Sequence, residues 1–435
     1  MSAKQAITQI QAIVIAAILV VAVGAAYYYF TLPTPPPEEV TLTAWSWNSE
    51  DINYTFSETT FDEDHPWIKL DSVELGGTGD TYSRLATSAA AGSGAPDIAL
   101  IEGDRLPQFI KMGILLPLDD FGAGDYADEF WEPWWNLGVS EGQVYALPWD
   151  MGPCGLFYRA DIFEKYDLKV PETWDEFIEQ GLKLKAQNDT IKFTSLSVND
   201  RGTFQILIQQ LGGQVFERVN GDVRCVASSE AIQAMELANS MAELGIAEWE
   251  NWWVDEWYSK QADGLIACVP IAQWHGGFLK EWLAPGNVGL WRAAPLPQFV
   301  AGETRSAHWG GSFFAITTQS EHPEEAWEFV EFMTCTVEGQ LALYTSSGYY
   351  PALKAIQMHD EVAYEDPYYG GQNWVAVFSE ESVPYLPDFD FTEYYQLMLA
   401  HLTAAQGRIN EGTPVEEALE EMATITNEEI AAAGG

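Results

Sequence analysis

The chain has 435 residues, more than the ~250–300 at which a single hydrophobic core stops growing, so two lobes are expected. Its 65 acidic residues against 20 basic ones leave a net charge of −45, and no acidic residue precedes Glu38. A nucleic-acid or anionic-membrane surface needs clustered Lys and Arg; the sequence has no such cluster, and the acidic excess reads as self-repulsion that favours solubility.

Residues 13–30 are apolar and uncharged, with Lys4 before them and a proline-rich spacer at 33–37 after them. As a helix rising about 1.5 Å per residue, this stretch approaches the ~30 Å hydrocarbon thickness of a bilayer. Three readings stay open. It is a secretory signal cut after Ala22, Val23 and Gly24, where small residues occupy the needed positions, or a retained membrane anchor on a stiff proline tether. Alternatively, AKQAITQIQAIVIAAILVV resembles the pilin-like signals of archaeal surface proteins, cut before the apolar run. Each puts residues 38–435 outside the cytoplasm, and retention as an anchor is favoured. Residues 1–32 are therefore read as the signal or anchor segment and 33–39 as a linker.

Beyond the linker, strand-like and helix-like patterns alternate, which predicts an α/β fold. A strand over residues 40–45 leads to Trp47 and Asn48; ligands of open α/β sheets bind beyond the carboxyl ends of strands. Asp80, in GGTGD, stands before a helix whose apolar face begins at Tyr82, and serves equally as a helix cap or a ligand contact. The strand 98–101 is followed by Glu102 and Asp104, at another carboxyl end, while Asp97 fixes a Pro-Asp turn. Trp149 and Asp150 follow in ALPWDMGPCGLFY.

In GLFYRADIFEKYDLKVPETWDEF, residues 155–177, a buried strand runs into a short helix, a proline-bearing turn and a helix opening at Thr173. Glu176 completes a capping box with Thr173, and Trp174, Phe177, Ile178 and Leu182 recur at helical spacing as its apolar face. A strand over 265–271 precedes Trp274, His275, Gly276 and Gly277; Trp274 is the preferred contact, since a lone His is usually structural. Residues 248–258 form either a further aromatic wall or a packed helix. Trp309, Gly310, Gly311 and Ser312 follow in WGGSFFAIT, where two glycines leave the backbone without side chains. Tyr349 or Tyr350 follows, and Thr413 with Glu416 predicts a capping box for the last helix.

Eighteen tryptophans bear on ligand type. A pyranose presents apolar C–H faces and a ring of hydroxyls, which flat aromatic walls and a few convergent polar groups match. The four cysteines lack metal-finger spacing, and buried free thiols are as good a reading as a bridge. If one bridge forms, it is Cys225–Cys268.

The 155–177 segment closely resembles the signature of the extracellular solute-binding proteins of ABC sugar importers, the maltose-binding protein family. It departs at Arg159, where that family usually has Asn or Asp. GSGAPDIALIEGDRL, MGILLPLDD, AAPLPQF, WGGSFFAIT, HPEEAWEFVEFMT and GYYPALKA are similar to its other landmarks, in order. The resemblance implies a two-lobe periplasmic-binding-protein-like fold with an interlobe cleft. Residues 40–149 plus 298–345 would form the first lobe and 150–297 plus 346–435 the second, with Trp149 and Asp150 at the first crossing, Trp309, Gly310, Gly311 and Ser312 in the glycine-rich approach to the cleft, and Tyr349 or Tyr350 near the last crossing. It implies a monomeric, cofactor-free binder, not an enzyme, that captures a neutral sugar and delivers it to an ABC permease. Two alternatives remain: an extracellular glycoside hydrolase, which needs two carboxylates flanking the scissile bond, and a binder of a peptide or polyol. No nucleophile elbow, HExxH helix or phosphate loop supports an enzyme.

Overall fold

The computed structural model describes residue 14 and residues 38–433. The readings placed on 1–37 therefore lie outside the described residues, apart from Val14. No helix among the described residues is long and apolar enough to cross a membrane.

Two sheets organise the chain. The first has five strands in the order Ile68–Glu74, Val40–Ser46, Ile98–Glu102, Ser312–Ile316 and Leu147–Pro148. Val40–Ser46 and Ile98–Glu102 run parallel, and Ser312–Ile316 returns antiparallel from much later in the chain. Val40, Leu42, Ala44 and Ser46 are buried and alternate with more exposed neighbours, the period of two that leaves one face to pack. Ile98, Ala99, Leu100 and Ile101 are all buried, as befits a central strand covered on both faces.

The second sheet is antiparallel, with Cys154–Arg159 between Cys268–Ala272 and Trp291–Ala294. Beside it Thr194–Ser197 pairs in parallel with Ala247–Glu250. Its core includes Leu156, Phe163, Trp174, Phe177, Phe204 and Leu207, together with residues of the two last helices, Tyr395–Asn410 and Val415–Ala432.

Three passes of chain lie side by side between the sheets. Asp150–Met151 pairs with Tyr350–Pro351, and Pro153 bridges His308. Gly152 is required here: a Cβ at this position would lie 2.0 Å from the Trp309 carbonyl oxygen.

Several local expectations change. In the helix Trp174–Gln187 the Thr173 side chain accepts from the Glu176 N–H, but the Glu176 carboxylate accepts from the N–H of Glu172 instead of Thr173. Leu182 is exposed; the buried face runs through Trp174, Phe177, Gly181 and Leu184. The last helix is capped by Pro414 with no side-chain bond, so the Thr413–Glu416 box does not form. Cys225 and Cys268 are both free. They belong to separate sheets, and the Cys268 thiol donates to the Phe193 carbonyl at 3.1 Å; of the two readings, free buried thiols hold for this pair and the conditional bridge does not form.

Candidate functional site

A cavity of about 390 Å³ opens between the two sheets, within the ~300–1,000 Å³ usual for small-molecule sites. From the first sheet side come Trp47, Thr78, Glu102 and Arg105. Asp200, Arg201, Trp253, Trp274 and Phe278 face them from the second, and Asp150, Trp309, Gly310, Gly311, Ser312 and Tyr349 contribute from or beside the crossing segments. A wider recess of about 800 Å³ lies along Pro107, Lys111, Arg218 and Glu393, but no tryptophan is among its lining residues.

The aromatic wall is continuous. The Trp274 ring lies 5.2 Å from Trp309, 5.7 Å from Trp253 and 5.4 Å from Phe278, centroid to centroid. Its indole N–H donates to the Trp309 carbonyl at 2.9 Å. Trp253 adopts φ 68, a left-handed backbone that is an outlier for a bulky residue, and such strain gathers at ligand sites. Its indole is held by Asp200, whose Oδ2 accepts at 2.9 Å. Gly310 and Gly311 both have positive φ, so the backbone turns beside the tryptophans with no side chain in the way.

The polar groups are buried and cross-linked. Asp150 Oδ1 accepts from the Ser312 N–H at 2.7 Å. Burial raises its carboxyl to about 7, although the Ser312 hydrogen bonds pull the other way. Burial also raises Glu102, as does the nearby Asp104, with Arg201 and Arg105 opposing. Burial disfavours charge on Arg201, but Asp104 and Glu102 outweigh it and leave the guanidinium more firmly protonated than usual. The Tyr82 hydroxyl ties Glu102 in place, donating to its Oε2 at 3.1 Å and accepting its N–H at 2.9 Å.

Of the residues expected from sequence, Trp47, Glu102, Asp150, Trp274, Trp309, Gly310, Gly311 and Tyr349 meet in this cavity. Trp149 does not. It is buried against Phe314 and Tyr349, behind the wall. Successive residues of an extended segment point to opposite sides, so Trp149 and Asp150 do not share one surface. Asn48 sits one layer back, donating to the Tyr349 hydroxyl at 3.4 Å. Asp80 is exposed in the first turn of the helix Thr78–Ala91, whose cap is Gly77; it lines a separate shallow recess with Trp45 and Arg84. Asp104 is buried and paired with Arg201. The 248–258 cluster divides, with Trp252 and Trp257 stacked in the core and Trp253 in the cavity. His275 is fully buried, its Nε2 2.7 Å from Gln261 Oε1, and burial lowers it to about 3.

Arg105, Asp200, Arg201 and Phe278 were not expected from sequence, and Trp253 only as part of the 248–258 cluster. The strand-end rule reaches three of them, because Asp200 and Arg201 follow Thr194–Ser197 and Trp253 follows Ala247–Glu250. Phe278 stands four residues after Trp274 on one helix, where side chains are neighbours.

The chain matches the bacterial extracellular solute-binding proteins over residues 46–335. An arabinooligosaccharide-binding protein of Halalkalibacterium halodurans is 28% identical over 280 residues, 62% of this chain and 61% of that relative, so the match spans less than two thirds of its length. A lactose-binding protein of Rhizobium radiobacter is 26% identical over 394 residues, 88% of this chain and 90% of the relative. Among solved structures, the ABC transporter associated binding protein from B. animalis subsp. lactis Bl-04, in complex with beta-1,6-galactobiose, superposes with a TM-score of 0.77 at 24% identity, covering 91% of this chain and 99% of that one. That likeness shows the two-lobe binding-protein fold. With the family match covering well over half its length, the chain belongs to the bacterial extracellular solute-binding proteins.

Proposed function

We propose that this protein captures a sugar or oligosaccharide between its lobes outside the cytoplasm and hands it to an ABC import permease. One observation carries the reading: tryptophans 47, 253, 274 and 309 wall a cavity into which Glu102, Asp150, Asp200, Arg105 and Arg201 project polar groups. Flat rings match the C–H faces of a pyranose, and carboxylates and guanidinium groups match its hydroxyls. The names of the arabinooligosaccharide- and lactose-binding relatives point the same way.

Residues 40–149 plus 298–345 form the first lobe in this reading, and 150–297 plus 346–435 the second. The strand order of the two sheets supports that division. A ligand touching both lobes favours the closed state by its differential affinity, with the crossings at Asp150–Met151 and Tyr350–Pro351 acting as the hinge. Capture needs no bond-making step, so the protein is a binder and not an enzyme. Residues 13–30 hold it to the membrane as an anchor, in keeping with their uninterrupted apolar composition.

Thermal-shift screening and calorimetry of residues 38–435 against a sugar panel, with product analysis, test this. Saturable binding without turnover is expected. Catalytic hydrolysis, or stabilisation only by peptides or polyols, would overturn it.

A further inference from the structure

The aromatic wall does not stop at the mouth of the cavity. Phe278 lines the cavity, and its ring lies 5.3 Å from that of Trp282. Trp282 in turn meets Tyr258 edge-on at 5.0 Å. Trp282 is 51% exposed and is the one tryptophan among the exposed large hydrophobic side chains of the described residues. Covering its exposed face would remove further apolar area from water.

Local backbone geometry sets this ring on the rim. The helix Trp274–Phe278 passes directly into a π-helical turn, Leu279–Leu283. Such turns are rare and concentrate at functional sites. Here Trp274, Phe278 and Trp282 recur at every fourth residue, with Trp274 and Phe278 in the cavity and Trp282 outside. Tyr258, from the neighbouring helix Asp255–Ala262, buttresses the ring edge-on and leaves a face for stacking.

We infer that Trp282 is an outer subsite: it stacks a sugar unit of an oligosaccharide whose other units occupy the cavity. The inference rests on the sugar-binding reading above and extends it to chain length. The protein would take oligosaccharides longer than the cavity alone accommodates, with the protruding unit lying along the Phe278–Trp282 edge. Continuity with the cavity wall identifies the occupant, since a ring that continues a row of sugar-stacking surfaces meets the next unit of the same ligand.

Calorimetry with arabinooligosaccharides of increasing length, from the monosaccharide upward, tests this on wild type, Trp282→Ala and Trp282→Phe. Wild-type affinity should rise when the ligand becomes long enough to leave the cavity. Trp282→Ala should remove that increment, a loss of roughly three- to tenfold confined to the longer ligands, and Trp282→Phe should restore most of it. A loss equal at every length, or no loss at any, overturns the outer subsite while leaving the cavity reading intact. That second outcome would point to a protein partner as the cover for this face. Binding of none of these sugars, nor of lactose or beta-1,6-galactobiose, by the wild type overturns both readings.

Discussion

Arg201 reaches across the cavity to Asp104, its Nη2 2.8 Å from Oδ2. Arg201 precedes the helix Gly202–Gln210 on the second sheet's side, and Asp104 follows the strand Ile98–Glu102 of the first. Arg201 therefore bridges the cleft, with Glu102 Oε1 also 3.9 Å from its Nη2. Gln396 Nε2 also donates to Asp104 Oδ2, at 3.2 Å. Removing one partner of a buried pair costs ~3–5 kcal/mol while the other stays dry. Opening the cleft rehydrates it. Arg201→Gln and Asp104→Asn should therefore each raise the ligand-free radius of gyration in solution scattering, and the double variant should go no further than the singles. Unchanged scattering with only a lower melting temperature would assign the pair to stability alone.

Trp149 and Trp274 should behave as opposites. Trp149 is 1% exposed and packed on Phe314. Trp149→Ala should cost ~3–5 kcal/mol in unfolding free energy, as core Trp truncations do. Trp274 is half-buried at the cavity wall, so Trp274→Ala should leave folding largely intact and weaken sugar affinity roughly tenfold or more. Denaturant unfolding and calorimetry on both variants check this; a Trp274→Ala protein with full affinity would remove that ring from the site.

How much of this was legible in the sequence depended on the reach of each interaction. Trp47 and Trp274 follow strands with clear apolar patterns and Glu102 ends one, and a strand's carboxyl end is a local property. The helix start at Thr173 is equally local, and its Thr173–Glu176 bond forms at 3.2 Å. The strand-end rule reaches Asp200 and Arg201 only once their strand is known, and Thr194–Ser197 owes its place to pairing with Ala247–Glu250 about fifty residues later. The burial of Trp149 depends likewise on Ser312–Ile316, which arrives from far along the chain. The φ 68 of Trp253 left no mark in the residue pattern, since tryptophan is not a residue that favours that conformation.

Asp150 should make stability depend on pH. Its carboxyl is raised to about 7 in the folded protein, against ~3.9 in an unfolded chain. Below about pH 4 both states hold the proton, and the group contributes no difference. Between about pH 4 and 7 the unfolded chain ionises first, so stability falls as pH rises, by on the order of 4 kcal/mol in all. Above about 7 the whole penalty is present. Asp150→Asn keeps an oxygen acceptor for the Ser312 N–H but cannot ionise. It should match wild type near pH 4 and be more stable above about pH 7. Parallel stability curves for the two proteins, measured by chemical denaturation across this range, would contradict the assignment.

Gly311 should tolerate no side chain. Its φ of 88 lies where a Cβ is strained, and an added Cβ would come within 2.3 Å of Trp134 Cζ2 and 3.1 Å of the Asp150 carbonyl oxygen. Trp134 cannot retreat easily: it is 1% exposed, its indole donates to that same Asp150 carbonyl at 3.1 Å, and its ring stacks on Phe313 at 5.5 Å. Left-handed strain of ~1–2 kcal/mol adds to an overpacking cost of ~1–3 kcal/mol, so Gly311→Ala should lower stability by roughly 2–5 kcal/mol. Gly371 is the control, since its φ of 82 is similar but no atom lies within 4 Å of an added Cβ. Gly371→Ala should lose only the backbone part, ~1–2 kcal/mol. The two variants differ in stability, by denaturant unfolding, only if the contact with Trp134 is as close as described; equal losses would mean that the segment at Gly311 moves aside.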